Sequence, residues 1–161
     1  MKLDKIETNI EKKMYLFESK IYGNNNIITD SDNSVLIKIN SKNTFQNILG
    51  FGGAFTESTG YALSTVNQEI YDNIIDDYFS SKGLNYSLGR LSIGSCDFSL
   101  GSYSYSYKKD LSDFSIEKDQ KYVIPVIKSA QNRNSNIKFI ASPWSPPAFM
   151  KTNKILTLGG K

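Results

Sequence analysis

Three apolar, strand-like segments alternate with helix-like segments after residue 47, and this order constrains the fold more than any other feature. The strand candidates read "NILGFGG", "NYSLGRLSIG" and "IKFIAS". Between them, "TVNQEIYDNIIDDYFSSKG" repeats apolar side chains at helical spacing, and a second helical stretch covers residues 116–133. This order predicts an α/β fold with a parallel sheet covered by helices, either a doubly wound sheet or a (β/α) barrel.

Local signals predict where the two helices begin, end or bend. Thr65 followed by Gln68 fits a capping box at the start of the first helix. Gly83 stands where a C-terminal glycine of that helix belongs. Pro125 interrupts the second stretch, and we expect it to start a new turn or to kink the helix.

The first 45 residues follow a different pattern. "MYLFESKIY" and "SVLIKIN" alternate apolar and polar residues, and the turn-rich "GNNNIITDSDN" connects them. We therefore expect residues 1–45 to form short antiparallel strands and residues 46–161 to form the parallel sheet with its helices.

The composition excludes several kinds of site. The 161 residues include no histidine, which removes Ser-His and Cys-His nucleophile pairs and most zinc sites. Lys and Arg number 19 against 16 Asp and Glu, an excess too small and too dispersed to indicate nucleic acid as a partner. The single cysteine, Cys96, cannot form an internal disulfide.

The sequence also lacks targeting signals of two kinds. Its N-terminal segment has no apolar core of the length that a signal peptide needs, and no stretch approaches a transmembrane span. We therefore expect a cytoplasmic protein, with secretion by a route not visible in the sequence as the alternative.

Candidate functional residues follow each of the three predicted strands. Glu57 comes after the first strand, and Asp97 with Phe98 follows the second. Trp144 follows the third, on a loop that three prolines make rigid. Because sites in α/β folds lie beyond the carboxyl ends of the strands, these positions predict one site at that edge of the sheet.

The glycine-rich "GFGGAFTES" does not fit a phosphate loop. Gly50 and Gly52 have the first spacing of such a loop, but Phe55 stands where the third glycine belongs. Tight passage of the strand beneath a neighbouring backbone is the simpler interpretation. Glu57, at the end of this stretch, is either a site carboxylate or an acidic residue favoured at a helix start.

Arg90 places a positive charge within the second predicted strand. Alternation along the strand places Arg90 and Ser92 on one face and Leu91 and Ile93 on the other. If the apolar pair faces the helices, Arg90 points into the barrel, where it should have a carboxylate partner. A structural ion pair and a role in an active site both stay open, and Asp97 is a candidate partner, loop cap or ligand acceptor.

Two aromatic segments also allow two interpretations each. Trp144, the only tryptophan, suits stacking on the apolar face of a sugar ring or, alternatively, filling the core. "GSYSYSYKKD" is either a ligand-covering flap or a low-complexity surface loop, and we favour the surface loop.

Five segments in this order resemble glycoside hydrolase family 30, most closely its glucosylceramidase (acid β-glucosidase) branch. They are "QNILGFGGAFTES", "LGRLSIGSCDFS", "YSY", "FSIEKDQKYVIPVIKSA" and "IASPWSPPAFMKTN", and the match begins near residue 35. The resemblance implies a (β/α)8 TIM barrel with a β-sandwich side domain. About three βα units of the barrel would be present, preceded by side-domain strands. It also implies a carbohydrate or glycolipid substrate, with neither a cofactor nor a metal.

The resemblance assigns roles to five residues. Asp97 matches the aspartate that accepts hydrogen bonds from hydroxyls of the glycone, and Trp144 lines the same sugar pocket. Phe98 matches its wall. Arg90 matches the arginine that supports the catalytic carboxylates from below, and Glu57 stands where many relatives have aspartate.

The resemblance places the two catalytic glutamates, an acid/base in an Asn-Glu-Pro motif and a nucleophile, after barrel strands four and seven. We therefore expect both downstream of Lys161, and we expect these 161 residues alone to be inactive and to fold poorly. The partner would be the missing C-terminal part of the same enzyme. The alternative is a non-catalytic carbohydrate-binding remnant or a split-gene piece.

Overall fold

The computed structural model describes residues 2–22 and 40–160. The chain divides into two compact units, Met1–Gln46 and Asn47–Lys161. No helix in the two described stretches is long and apolar enough to cross a membrane.

The described part of the first unit contains an antiparallel hairpin. Strand β1 (Lys2–Asn9) pairs with β2 (Met14–Tyr22), so the predicted strand "MYLFESKIY" is confirmed. The predicted strand "SVLIKIN" falls on residues 34–40, of which only the last lies within the described residues. Strand β1 was not predicted, because its two apolar residues, Leu3 and Ile6, break the alternation that signals a strand.

The second unit is an α/β structure built on a parallel sheet. Its elements are β3 (Gly52–Phe55), α1 (Glu57–Ser64), α2 (Gln68–Phe79), β4 (Leu88–Ile93), α3 (Glu117–Arg133), β5 (Lys138–Pro143) and a 3-10 turn (Ala148–Met150). The strands lie in the order β3-β4-β5, and both pairings are parallel. The predicted alternation of strands and helices around a parallel sheet is therefore confirmed.

The two faces of this sheet differ. Phe55 lies beside Leu91 in the register, and both pack against the helices together with Phe139. The buried helical residues on that side are Ile75, Phe79, Val123, Val126 and Ala130. Arg90 pairs in register with Ile140 on the other face, where both are exposed. The predicted orientations of Leu91 and Arg90 are thus confirmed.

Two glycines allow backbones to approach closely. A Cβ atom on Gly52 would lie 1.6 Å from the carbonyl oxygen of Leu88, so β3 runs tightly against β4, as the glycine-rich stretch predicted. A Cβ atom on Gly60 would lie 2.4 Å from the carbonyl oxygen of Tyr122. Helix α1 can therefore pack against α3 only because residue 60 lacks a side chain.

Helix α2 has other boundaries than the sequence predicted. Asn67, not Thr65, caps its N-terminus, and the Asn67 side chain accepts a hydrogen bond from the amide of Ile70 at 2.8 Å. Thr65 instead caps the C-terminus of α1. Helix α2 ends before Ser80, and Gly83 donates to the Ser80 carbonyl at 3.1 Å, so Gly83 is not its terminal glycine.

Two further features of the helices differ from expectation. Helix α3 runs without interruption through Pro125, so Pro125 does not start a separate turn, and the alternative of a kink stays a prediction. Pro125 and Lys121 are both exposed, so water can reach the Lys121 carbonyl that lacks a helical donor. Helix α1 was not predicted as a helix of its own, although Thr56 caps it by accepting from the amide of Thr59 at 3.2 Å.

Candidate functional site

The candidate site lies beyond the carboxyl ends of β4 and β5. The guanidinium carbon of Arg90, on β4, lies 5.0 Å from the centroid of the Trp144 ring, which directly follows β5. The Trp144 side chain is 43% exposed, so it does not fill the core. The contact brings two predicted site residues from neighbouring strands together.

Arg90 has no carboxylate partner within residues 2–22 and 40–160. Because Arg90 is exposed on the uncovered face of the sheet, water can solvate its charge and an ion pair is not required here. The stack on Trp144 contributes about 0.5–1 kcal/mol at such an exposed position. The guanidinium N–H groups stay available to an acceptor from elsewhere.

Asp97 and Phe98 lie in the loop that follows β4, and both are exposed. In the described part of the chain, the Asp97 carboxylate has neither a hydrogen-bond partner nor an ion-pair partner, so it is not the partner of Arg90. Phe98 is 63% exposed. An unpaired carboxylate next to an exposed aromatic ring is an arrangement that can bind a polar ligand with an apolar face.

The start of α1 fixes this loop. Ser58 donates from its amide to the Phe98 carbonyl at 3.0 Å and from its hydroxyl to the same oxygen at 2.8 Å. The Glu57 carboxylate accepts from the amide of Leu100 at 2.9 Å. Glu57 is only 8% exposed and lies in the first turn of α1, so the helix-start interpretation is confirmed, while its role as a site carboxylate stays a prediction. It opens a helix, and its carboxylate supports the loop from below.

The tyrosine-rich segment is a loop between β4 and α3 with mostly exposed residues, as predicted for a surface loop, but buried side chains anchor it. Tyr103 and Ser106 are buried, and the Tyr103 hydroxyl donates to Asp119 Oδ1 at 2.6 Å. The Tyr105 hydroxyl donates to Asp119 Oδ2. Burial and the neighbouring carboxylate raise the pKa of both phenols, that of Tyr105 to about 12. The composition of this segment does not show which of its side chains are buried.

A second set of hydrogen bonds fixes the loop that carries Trp144. The Ser145 hydroxyl donates to the Leu156 carbonyl at 2.5 Å, and Lys151 Nζ donates to the same oxygen at 3.0 Å. Lys151 is buried, with 4% of its surface exposed. Its ammonium group also donates to the Thr157 carbonyl at 3.2 Å. The role of Lys151 was not predicted, because its hydrogen-bond acceptors are backbone carbonyls, which no sequence motif indicates.

Acidic residues and the cysteine do not cluster as metal ligands in the described stretches, where no group of three or more could hold an ion. Cys96 is half-buried, and its amide donates to the hydroxyl of Ser99 at 3.0 Å. Among the predicted site residues, the Asp97 carboxylate and the Arg90 guanidinium are polar groups without a hydrogen-bond or ion-pair partner in the described stretches.

The chain is thus an α/β protein with a parallel sheet, and its candidate site residues lie on or directly after the strands of that sheet. The chain belongs to glycosyl hydrolase family 30, because the model of the family's TIM-barrel domain matches residues 48–161. The three-stranded sheet is thus part of a TIM barrel. The resemblance inferred from the sequence motifs is confirmed at the level of the family.

Named relatives support this placement. Putative glucosylceramidase 3 of Caenorhabditis elegans is 42% identical over 132 residues, which are 79% of this chain and 25% of the relative. The crystal structure of SrfJ from Salmonella typhimurium is 36% identical with a TM-score of 0.85, and the match covers 100% of this chain and 36% of SrfJ. The endo-β1,6-glucanase BT3312 is 35% identical with a TM-score of 0.65, over 70% of this chain and 25% of that enzyme. The chain thus spans about a quarter of the curated relative that it matches.

Proposed function

We propose that this chain is the glycone-binding part of a retaining β-glycosidase of the glucosylceramidase type. The observation that carries the proposal is the contact, at 5.0 Å, of Arg90 on strand β4 with Trp144, which directly follows strand β5. Asp97, on the neighbouring loop, offers a carboxylate without a partner in the described part of the chain. An aromatic ring and a free carboxylate are what binding of a sugar ring requires.

Each site residue has a role that its chemistry supports. An ionised Asp97 supplies two acceptor oxygens for adjacent hydroxyls of a glucose-like ring. Trp144 and Phe98 offer exposed aromatic surface for the C–H face of the same ring. A site of this kind discriminates strongly between sugars, because the wrong hydroxyl arrangement leaves its polar groups unpaired.

Arg90 and Glu57 support the site in different ways. Arg90 directs donors towards a carboxylate that a further barrel strand would bring. The Glu57 carboxylate is held by the amide of Leu100, so it is an anchor and not the attacking group. The proposed reaction is a double displacement through a covalent glycosyl-enzyme, with two glutamates about 5–5.5 Å apart. Additional polypeptide, as the missing C-terminal part of the same enzyme, would supply both glutamates.

The proposal also covers the first unit, the substrate and the cellular location of the protein. We assign the hairpin of β1 and β2 to a β-sandwich side domain, in line with the boundary at residues 1–45 expected from the sequence. The substrate is a β-glucoside or a glucosylceramide-like glycolipid, and the location is the cytoplasm.

Hydrolysis of an aryl β-glucoside tests the proposal. The 161-residue chain alone should show no turnover, whereas the full-length protein that contains it should hydrolyse the glucoside. Normal turnover by the chain alone, or none by the full-length protein, would contradict the proposal.

A second candidate is a β-1,6-glucanase, favoured by the likeness to BT3312 at 35% identity. Assay of the full-length protein on β-1,6-glucan beside an aryl β-glucoside separates the two candidates. The alternative of a non-catalytic carbohydrate-binding remnant or split-gene piece is decided by the coding sequence after Lys161. An Asn-Glu-Pro motif there supports the enzyme, and its absence supports the remnant.

A further inference from the structure

Asp119 is a buried carboxylate that none of the proposed catalytic roles uses. It lies in the first turn of α3 and is 6% exposed. Each of its oxygens accepts a hydrogen bond from a phenol, Tyr103 at 2.6 Å on one side and Tyr105 on the other. No ion pair to Asp119 occurs among residues 2–22 and 40–160.

A buried carboxylate without a cation is costly, so its hydrogen bonds have to compensate. Hydrogen bonds to an ionised acceptor are roughly twice as strong as neutral ones, and the N-terminus of a helix favours negative charge. An asparagine in the place of Asp119 would keep only one acceptor oxygen. One phenol would then have to turn its proton away and leave a buried O–H group without an acceptor.

The phenols connect Asp119 to the loop that carries Asp97. The amide of Tyr103 donates to the hydroxyl of Ser95 at 3.0 Å, and the amide of Ser95 donates to the Tyr103 carbonyl at 3.1 Å. These bonds close residues 95–103 into a loop with Asp97 inside it. The position of Tyr103 therefore fixes both ends of this loop.

The closed loop has a second anchor at its middle. Leu100 donates its amide to Glu57, and Ser58 holds the carbonyl of Phe98. Asp97 itself has no contact of this kind in the described stretches, so its placement depends on the anchors around it.

We infer that Asp119 is a positioning residue for the sugar site, which acts through Tyr103 and Tyr105 to hold the loop of residues 95–103. This inference rests on the proposed function, in which Asp97 binds the glycone. Asp119 touches neither substrate nor reacting atoms in this account. Its effect is to keep the Asp97 carboxylate and the Phe98 ring in the place where the sugar is bound.

A neighbouring carboxylate offers a matched control. Asp113 accepts from the hydroxyl of Ser106 at 2.6 Å and from the amides of Tyr107 and Lys108 at 3.0 and 3.2 Å. These hydrogen bonds fix a later part of the segment between β4 and α3, outside the closed loop of residues 95–103. A second control is Asp110, an exposed aspartate that accepts only from the amide of Ser112 at 3.1 Å.

The test compares four variants of the full-length protein: Asp119→Asn, Tyr103→Phe, Asp113→Asn and Asp110→Asn. Amide hydrogen exchange at Leu100 and at residue 103 measures order in the closed loop, and hydrolysis of an aryl β-glucoside measures KM and kcat. Asp119→Asn and Tyr103→Phe should each speed exchange on the order of tenfold, from the loss of one hydrogen bond to a charged group. KM should rise by a similar factor with a smaller change in kcat.

The controls make the result specific. Asp113→Asn should speed amide exchange at residues 107–108 but leave exchange at Leu100 unchanged. Asp110→Asn should change neither the exchange at residues 107–108, nor that at Leu100, nor KM. Equal exchange at Leu100 in the wild type and Tyr103→Phe, with equal KM, would overturn the inference. If Asp119→Asn does not fold, Tyr103→Phe decides alone, because it retains the aromatic ring and the Asp119 carboxylate. If the wild type hydrolyses no glucoside, the proposed function fails, and exchange at Leu100 and Tyr103 still decides whether Asp119 orders the loop.

Discussion

The guanidinium group of Arg90 covers the indole ring of Trp144, with its central carbon 5.0 Å from the ring centroid. Arg90 lies on strand β4, on the face away from the helices, and Trp144 begins the loop after the neighbouring strand β5. The contact therefore fixes an aromatic ring at the edge of the sheet while 43% of the Trp144 side chain stays exposed. A ligand can use that exposed surface.

This arrangement predicts that the ring of Trp144, and not merely its bulk, contributes to sugar binding. In the full-length protein, Trp144→Ala should raise KM for an aryl β-glucoside about tenfold, since an aromatic contact of this kind is worth ~1 kcal/mol or more. Trp144→Phe keeps a ring and should retain most of the affinity. An unchanged KM in Trp144→Ala would show that the sugar does not contact this residue.

We expect Glu57 to stabilise the protein by accepting a hydrogen bond and not by its negative charge. Glu57→Ala removes the acceptor of the Leu100 amide and should lower the free energy of unfolding by about 1–3 kcal/mol. Glu57→Gln retains an acceptor oxygen and should cost less. Urea denaturation of the full-length protein measures both, and equal destabilisation by the two variants would contradict the assignment.

Gly60 should be intolerant of any side chain. Gly60→Ala places a Cβ atom 2.4 Å from the Tyr122 carbonyl oxygen, so α1 and α3 would have to separate, at a cost of about 1–3 kcal/mol. Gly101→Ala is the matched control, because a Cβ atom there would meet nothing within 4 Å. Denaturant midpoints of the two variants should therefore differ clearly. Similar midpoints would indicate that the helices adjust without cost.

The raised pKa of Tyr105 predicts that the protein loses stability at alkaline pH. Burial, with the Asp119 carboxylate beside it, raises the pKa of Tyr105 to about 12, above its usual value of about 10. The unfolded state thus loses this proton first as the pH rises, so stability contributed by Tyr105 is full below pH ~10 and is lost towards pH ~12. Tyr105→Phe should lower stability at pH 8 but flatten its decline between these values. An identical slope in both proteins would contradict the prediction.

The sequence predicted the features that depend on local pattern. The three parallel strands follow from short apolar runs, and the outward Leu91 and inward Arg90 follow from alternation along β4. Strand β1 was missed, because Leu3 and Ile6 break that alternation. The sequence motifs indicated glycoside hydrolase family 30, and the match of the family's TIM-barrel domain to residues 48–161 confirms that family.

The features that were missed depend on contacts between distant segments. Nothing near Asp119 in the sequence shows that two tyrosines from another loop donate to it. Arg90 was expected to need a carboxylate, but that expectation assumed burial, and the exposed face of β4 removes the need within the described residues. Burial of Glu57 beneath its loop is likewise a result of tertiary packing.

Substitution of Asp97 tests the central claim most directly. In the full-length protein, Asp97→Asn should lower kcat/KM for an aryl β-glucoside by about 10- to 100-fold, since a hydrogen bond to a charged group is worth about 1.5–3 kcal/mol. Asp110→Asn removes one negative charge from the same segment between β4 and α3, outside the loop of residues 95–103, and should leave kcat/KM unchanged. If the two variants show equal kcat/KM, at the wild-type value, Asp97 does not bind the sugar and the assignment of the glycone site is wrong.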